Sequence, residues 1–165
     1  MTPIVQIGRK DSKPNEGRMN DTVPRLRVLV VDDCKDSADM LCSVLELWEI
    51  EARPAYSGLV ALGRFGTFRP HVLLLDLSMP KLDGIALGER IRELPNGSDA
   101  ALIAVTGMSE DDYHVSCKLA GFDHFIAKPL DADALKSLLA AYDPRNEHTT
   151  AVTVADRTRS PDVVF

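Results

Sequence analysis

Four apolar runs in this chain each end in a side chain that can do chemistry. Leu26 to Val31 ends in Asp32-Asp33, His71 to Leu75 ends in Asp76, Ala101 to Val105 ends in Thr106, and the run closing at Ala127 ends in Lys128-Pro129. A carboxylate pair, a single carboxylate, a hydroxyl and an ammonium are the parts needed for in-line phosphoryl transfer onto an aspartate. Asp76 is the candidate nucleophile. Carboxylates of Asp32, Asp33 and Asp76 brought close together repel one another, and an oxygen-seeking divalent cation is their natural partner. Mg²⁺ suits such a site, because it accepts one or two carboxylates, keeps several waters and welcomes a phosphoryl oxygen. Lys128 would neutralise phosphoryl oxygens, Thr106 would donate a hydrogen bond to them, and Gly107 leaves room for a bulky donor. Alone, each residue has an ordinary explanation: a solvated turn for Asp32-Asp33, a loop acid for Asp76, a β-branched strand end for Thr106, a surface lysine for Lys128. Their joint arrival at successive strand ends is what points to a site.

The elements that must position these groups alternate five times. Strand patterns cover 26–31, 51–55, 71–76, 101–106 and 123–127. The first, third and fourth are apolar almost throughout, as central strands covered on both faces are. The second carries charge and Pro54, which suits an edge. Helical periodicity covers 36–48, where Leu41, Val44, Leu45 and Trp48 form one stripe, and 132–142, where Leu135, Leu138, Leu139 and Tyr142 repeat it. Ser57, Asp83 and Ser109 stand where N-caps are wanted, Glu110-Asp111-Asp112 places anions in a first turn, and Gly121 follows Leu119-Ala120 as a helix stop. This alternation predicts an α/β fold: a single doubly wound (βα)₅ domain with a five-stranded parallel sheet. In the flavodoxin-like order 2-1-3-4-5, Asp32-Asp33 and Asp76 meet at the topological switch point, where open sheets of this kind bind ligands.

Composition narrows the class. A chain of 165 residues with 45% apolar and 27% charged residues is expected to hold one globular domain at 24–143, between a tail at 1–23 and another at 144–165. The second tail contains two apolar islands, Ala151 to Val154 and Val163 to Phe165. A net charge of −6 speaks against a nucleic-acid or anionic-lipid surface. Neither a membrane span nor a secretory signal is evident. Cys34, Cys42 and Cys117 have no metal-ligand spacing and read as small buried or half-buried thiols in a reducing cytoplasm. Gly-rich phosphate loops are absent.

The segments Val28-Leu29-Val30-Val31-Asp32-Asp33, Leu73 to Pro80, Asp83-Gly84, Val105-Thr106-Gly107 and Ala127-Lys128-Pro129 resemble the receiver domain of two-component response regulators, over about residues 25–143. The resemblance implies that Asp76 is the phospho-acceptor. It implies Mg²⁺ ligation by Asp33, Asp76 and the main-chain carbonyl of Ser78, with Asp32 acting through a bound water. Thr106 would be the switch hydroxyl, Phe125 the aromatic switch, Lys128 the phosphoryl-binding lysine, and Lys128-Pro129 a cis peptide. Ser78 and Met108 occupy positions that vary in the family, so phosphoryl lifetime is not readable. Phe125 lacks a hydroxyl, so it would switch by burial.

The expected function is a stand-alone receiver that takes a phosphoryl group from a histidine kinase or phosphotransfer protein and signals by protein contacts or relay. It would be no enzyme beyond self-catalysed transfer onto Asp76, with an unknown protein output partner, and donor docking near Met40, Leu41 and Val44. Two alternatives use similar parts. One is a phosphorylation-independent interaction module on the same fold. The other is a haloacid-dehalogenase-type phosphatase, which would want a second acid where Ser78 stands and would place its acid pair last in the chain.

Overall fold

The computed structural model describes residues 23–80, 83–107 and 110–146, with side chains placed outside 110–114. Readings that fall on Met108, Ser109 and most of the two expected tails lie outside these residues. Five strands alternate with five helices: β1 (Arg27–Val31), α1 (Lys35–Leu47), β2 (Glu51–Ala55), α2 (Gly58–Phe68), β3 (Val72–Asp76), α3 (Gly84–Glu93), β4 (Ala101–Thr106), α4 (Glu110–Leu119), β5 (His124–Ala127) and α5 (Ala132–Ala140). All strand pairs are parallel, in the order β2-β1-β3-β4-β5. This is the doubly wound arrangement expected from the alternation.

Period-two alternation sends successive side chains of each strand into opposite layers. Val28, Val30, Leu74, Ile103, Leu135 and Leu139 share the core under α1 and α5. Leu29, Val31, Leu73, Leu75, Leu87 and Ile91 share the core under α2 and α3. β3 and β4 are buried along their whole length, which explains their unbroken apolar composition. β2 lies at an edge with Glu51 and Arg53 exposed, as its charge and proline suggest.

Two expectations need correction. The buried face of α1 is Ala38, Cys42 and Leu45, while Leu41, Val44 and Trp48 are only half-buried and Met40 is 68% exposed. Small residues face the sheet where the helix approaches closely, and a stripe drawn through the largest side chains is rotated away from them. Cys34 is exposed, unlike buried Cys42 and Cys117, because it sits at the start of α1 on the open edge.

Local chemistry sets the helix starts. Ser57 accepts the Val60 N–H at 3.3 Å, Asp83 the Ala86 N–H at 2.8 Å, and Asp131 the Ala134 N–H at 2.8 Å. Gly84 is required by a close approach: a Cβ there would lie 2.5 Å from the Asp76 carbonyl oxygen. The start of α3 is thereby pressed against the end of β3. Gly121, at φ +83°, turns the chain out of α4.

Arg92 ties α3 to the far end of the sheet. Its guanidinium donates to the carbonyls of Gly97, Ala100 and Gly121 at 2.6–2.9 Å and pairs with Asp123 at 2.8 Å. Asp123 in turn accepts the Leu102 N–H at 2.8 Å. Both side chains are largely buried. Arg92→Ala is expected to cost about 3 kcal/mol, since it leaves a buried carboxylate and several carbonyls poorly satisfied. A lowered urea midpoint with an unchanged slope is the corresponding measurement. Among the described residues, no helix is long and apolar enough to cross a membrane.

Candidate functional site

β1 and β3 are neighbours, with Val31 opposite Leu75, so Asp32 and Asp76 leave the sheet side by side. Each carboxylate is held by the same device. Asp32 Oδ1 accepts the Cys34 N–H, and Asp76 Oδ1 accepts the Ser78 N–H, both at 2.9 Å. These side-chain-to-backbone turns fix both rotamers. The remaining oxygens meet a single cation: Lys128 Nζ lies 3.2 Å from Asp32 Oδ2 and 3.1 Å from Asp76 Oδ2.

Lys128 arrives from the opposite side of the sheet, just past the end of β5. Its own N–H donates to the Thr106 carbonyl at 2.7 Å, which anchors it to the end of β4. The Lys128–Pro129 peptide is cis. Desolvation pulls the ammonium pKa down, but hydrogen bonds and charges from Asp76 and Asp32 outweigh that loss and hold it above the ordinary lysine value.

Asp32 and Asp76 are buried, and Asp33 is exposed. Ligand oxygens of the three lie within 4.8 Å of one another. Lys128 balances one of the three negative charges, so a hard divalent cation suits what remains: oxygen donors only, an excess of negative charge, and an open outer side at Asp33. Mg²⁺ fits this donor set. When bound, it would supply neutralisation of charge on a phosphoryl group beside Asp76.

The other expected residues fall on the same edge. Thr106 is fully buried at the end of β4, one residue beyond Val105, the register partner of Asp76. Gly107 is exposed, and a Cβ there would meet nothing within 4 Å, so the approach is open. Ser78 is exposed and contributes the N–H already described. Phe125 lies on β5, half-buried against Leu77, Ala104 and Cys117, and so packs beside the residue that follows Asp76. Reading the sequence did not anticipate the direct contact of Lys128 with Asp32, nor the Cys34 and Ser78 N–H groups. An acid two residues before a loop amide is the signal that was available for both turns.

Comparison with known proteins agrees with this geometry. The response regulator receiver domain family matches residues 28–140. An uncharacterized 14.6 kDa protein from Leptolyngbya boryana is 32% identical over 121 residues, covering 73% of this chain and 92% of that protein. Response regulator MprA from Mycobacterium avium is 29% identical over 82% of this chain, and the matched region is 61% of that regulator. Sensor histidine kinase RcsC from Salmonella typhi is 30% identical over 84% of this chain but only 14% of the kinase. Among solved structures, a CheY-like receiver domain from Methylobacillus flagellatus has a TM-score of 0.65 at 28% identity, covering 70% of this chain and 97% of that one. Vibrio cholerae CheY4 shares the fold, with a TM-score of 0.69 at 22% identity, covering 72% and 99%. On the match over residues 28–140, the chain belongs to the response regulator receiver domain family.

Proposed function

We propose that this receiver accepts a phosphoryl group on Asp76 and signals through the change in surface that follows. One observation carries the reading. Lys128 bridges Asp32 and Asp76 from the far side of the sheet while Asp33 completes a three-carboxylate cluster beside them. A structural ion pair needs one acid and one base. Three acids converging on one lysine, under an open approach at Gly107, is the arrangement of a site that transfers anionic groups.

In the reaction, one Asp76 carboxylate oxygen attacks phosphorus in line with the bond to the donor. The new P–O bond makes an acyl phosphate, and the bond to the donor's nitrogen or oxygen breaks with its electron pair on the leaving group, which takes up a proton. Lys128 holds a phosphoryl oxygen, Asp32 and Asp33 hold Mg²⁺ together with Asp76, and the Ser78 carbonyl supplies a further ligand. Asp32 would act through water if Lys128 keeps its present partner. The added charge of about −1.5 to −2 draws the Thr106 hydroxyl to the phosphoryl group. Phe125, half-buried beside Leu77, then packs deeper.

The donor in this reading is a histidine kinase or a phosphotransfer protein, docking at the exposed and half-buried side chains of α1, Met40, Leu41 and Val44. The chain turns over no separate substrate. Its output is a protein contact, in keeping with the net charge of −6, which disfavours nucleic acid. The match to a relative of little more than receiver size supports action without a fused output domain. Three unpaired thiols suit a reducing compartment, here the cytoplasm.

Incubation of the full chain with Mg²⁺ and a small acyl phosphate, followed by intact mass, tests the reading. A gain of one phosphoryl group that disappears when EDTA replaces Mg²⁺ is the expected result. No gain at any Mg²⁺ concentration would leave the phosphorylation-independent module as the better account.

A further inference from the structure

α1 and α5 lie on the same face of the sheet, yet a cavity of about 400 Å³ opens between them. Leu41, Val44 and Trp48 form one wall, Leu130 and Leu135 the other, and the mouth reaches Asp32, Asp76 and Lys128. Apolar walls of this extent, with Met40 exposed beside them, are unusual without an occupant.

The described chain ends at the foot of this groove. Asn146 Nδ2 donates to the Ala140 carbonyl at 2.6 Å, at the end of α5. Arg145 pairs at 3.6 Å with Glu49, the residue after Trp48. Residues 147–165 follow, and their first apolar island is Val152-Thr153-Val154. In an extended segment Val152 and Val154 point to the same side. The six residues from Asn146 to Val152 span about 20 Å when extended, and the 13 residues of α1 also rise about 20 Å, so the island can reach any level of the groove. Arg157 and Arg159 come next. They are complementary to the acids that crowd the top of the groove, where Asp33 and Asp36 are exposed.

We propose that residues 147–159 fold back along the groove between α1 and α5, with Val152 and Val154 filling the cavity and Arg157 and Arg159 carried to the acidic mouth. The chain's own C-terminal segment then covers the approach to the Lys128 cluster. If Asp76 is the acceptor proposed above, a donor protein must displace this segment before transfer. That consequence rests on the acceptor reading, whereas the seating itself does not.

Trp48 is the only tryptophan in the chain and lines the groove, so it reports the occupant directly. In the full chain, Val152→Asp with Val154→Asp is expected to shift Trp48 emission to the red and to raise its quenching by acrylamide. The pair Val163→Asp with Val164→Asp is expected to change neither. These tail positions touch none of the described core, so loss of folding does not mask the result. Unchanged quenching in the Val152/Val154 variant overturns the proposal, and so does an effect confined to the Val163/Val164 variant. A wild-type signal that moves to the red on dilution assigns the contact to a second copy and overturns it as well. None of these readouts involves phosphate, so a failure here is distinct from a failure of Asp76 to be phosphorylated.

Discussion

An Asp76→Asn chain takes up no phosphoryl group from a small acyl phosphate at any Mg²⁺ concentration, while keeping wild-type folding. The carboxamide has no anionic oxygen to attack phosphorus, and no other acid at the edge is placed to replace it. Asp32 is held by the Cys34 N–H and Lys128, and Asp33 stands exposed on the outer side of the cluster. The fold survives because the asparagine oxygen can still accept the Ser78 N–H that Asp76 Oδ1 accepts now. One contact to Lys128 weakens, while the pair with Asp32 remains and one repelling charge leaves the cluster. These changes oppose one another, so stability is expected to stay within about 1 kcal/mol of wild type. Intact mass reads the first effect and a urea titration the second. Phosphoryl uptake retained in the variant would move the acceptor elsewhere and end the proposed mechanism.

How far the site can be read without coordinates depends on the range of each interaction. The central strands are legible because a strand buried on both faces must be apolar along its length, and the polar residue that stops each run marks the open edge. The edge position of β2 is legible from Glu51, Arg53 and Pro54 for the complementary reason. Convergence of Asp32, Asp33 and Asp76 then follows from strand order alone, because the switch between β1 and β3 is fixed by topology. The face of α1 was not legible in detail. Periodicity weights the large residues Leu41, Val44 and Trp48, whereas Ala38 and Cys42 make the closest approach to the sheet. Neither was the Arg92 hub. Its partners are mostly backbone carbonyls, which every residue carries, so no pattern of side chains announces them. The choice of Lys128 as the partner of both Asp32 and Asp76 joins residues 96 and 52 positions apart, and only the assembled sheet makes it visible.

The position of that lysine also explains how the resting site tolerates its own charge. Two buried carboxylates with Oδ2 atoms aimed at one point would destabilise the edge unless a cation sits there. Lys128 fills the role in the absence of a metal, and its side chain is about one-third exposed, so it can shift toward an incoming phosphoryl group without leaving the cluster. Thr106 and Lys128 are coupled through the carbonyl–amide bond between them, so movement at one strand end is felt at the next. Phe125 sits three residues before Lys128 on the same strand, against Leu77. The proposed switch therefore runs through bonded neighbours and one packed aromatic.

Lys128→Met should separate these roles. It keeps most of the side-chain volume and removes the charge, so Asp32 and Asp76 lose the ammonium they share. Breaking a fully buried pair costs about 3–5 kcal/mol, but this lysine is partly exposed and solvent screens the remainder, so a loss of about 1–2 kcal/mol is expected. With Mg²⁺ added, the variant should recover more stability than wild type does, because its carboxylates have more unmet charge to offer. Phosphoryl uptake should fall by about 10²-fold or more, the usual effect of removing one preorganised group from developing negative charge. The alkaline limb gives an independent check. Because the folded-state pKa of Lys128 is raised above the usual lysine value of 10.5, its contribution is fully present below that pH and is lost as pH rises through the higher folded value. Wild type should therefore lose stability in that window beyond what the methionine variant loses. A variant that matches wild type in uptake, in Mg²⁺ response and in alkaline stability would show that Lys128 only decorates the edge, and the three-carboxylate cluster would need another explanation.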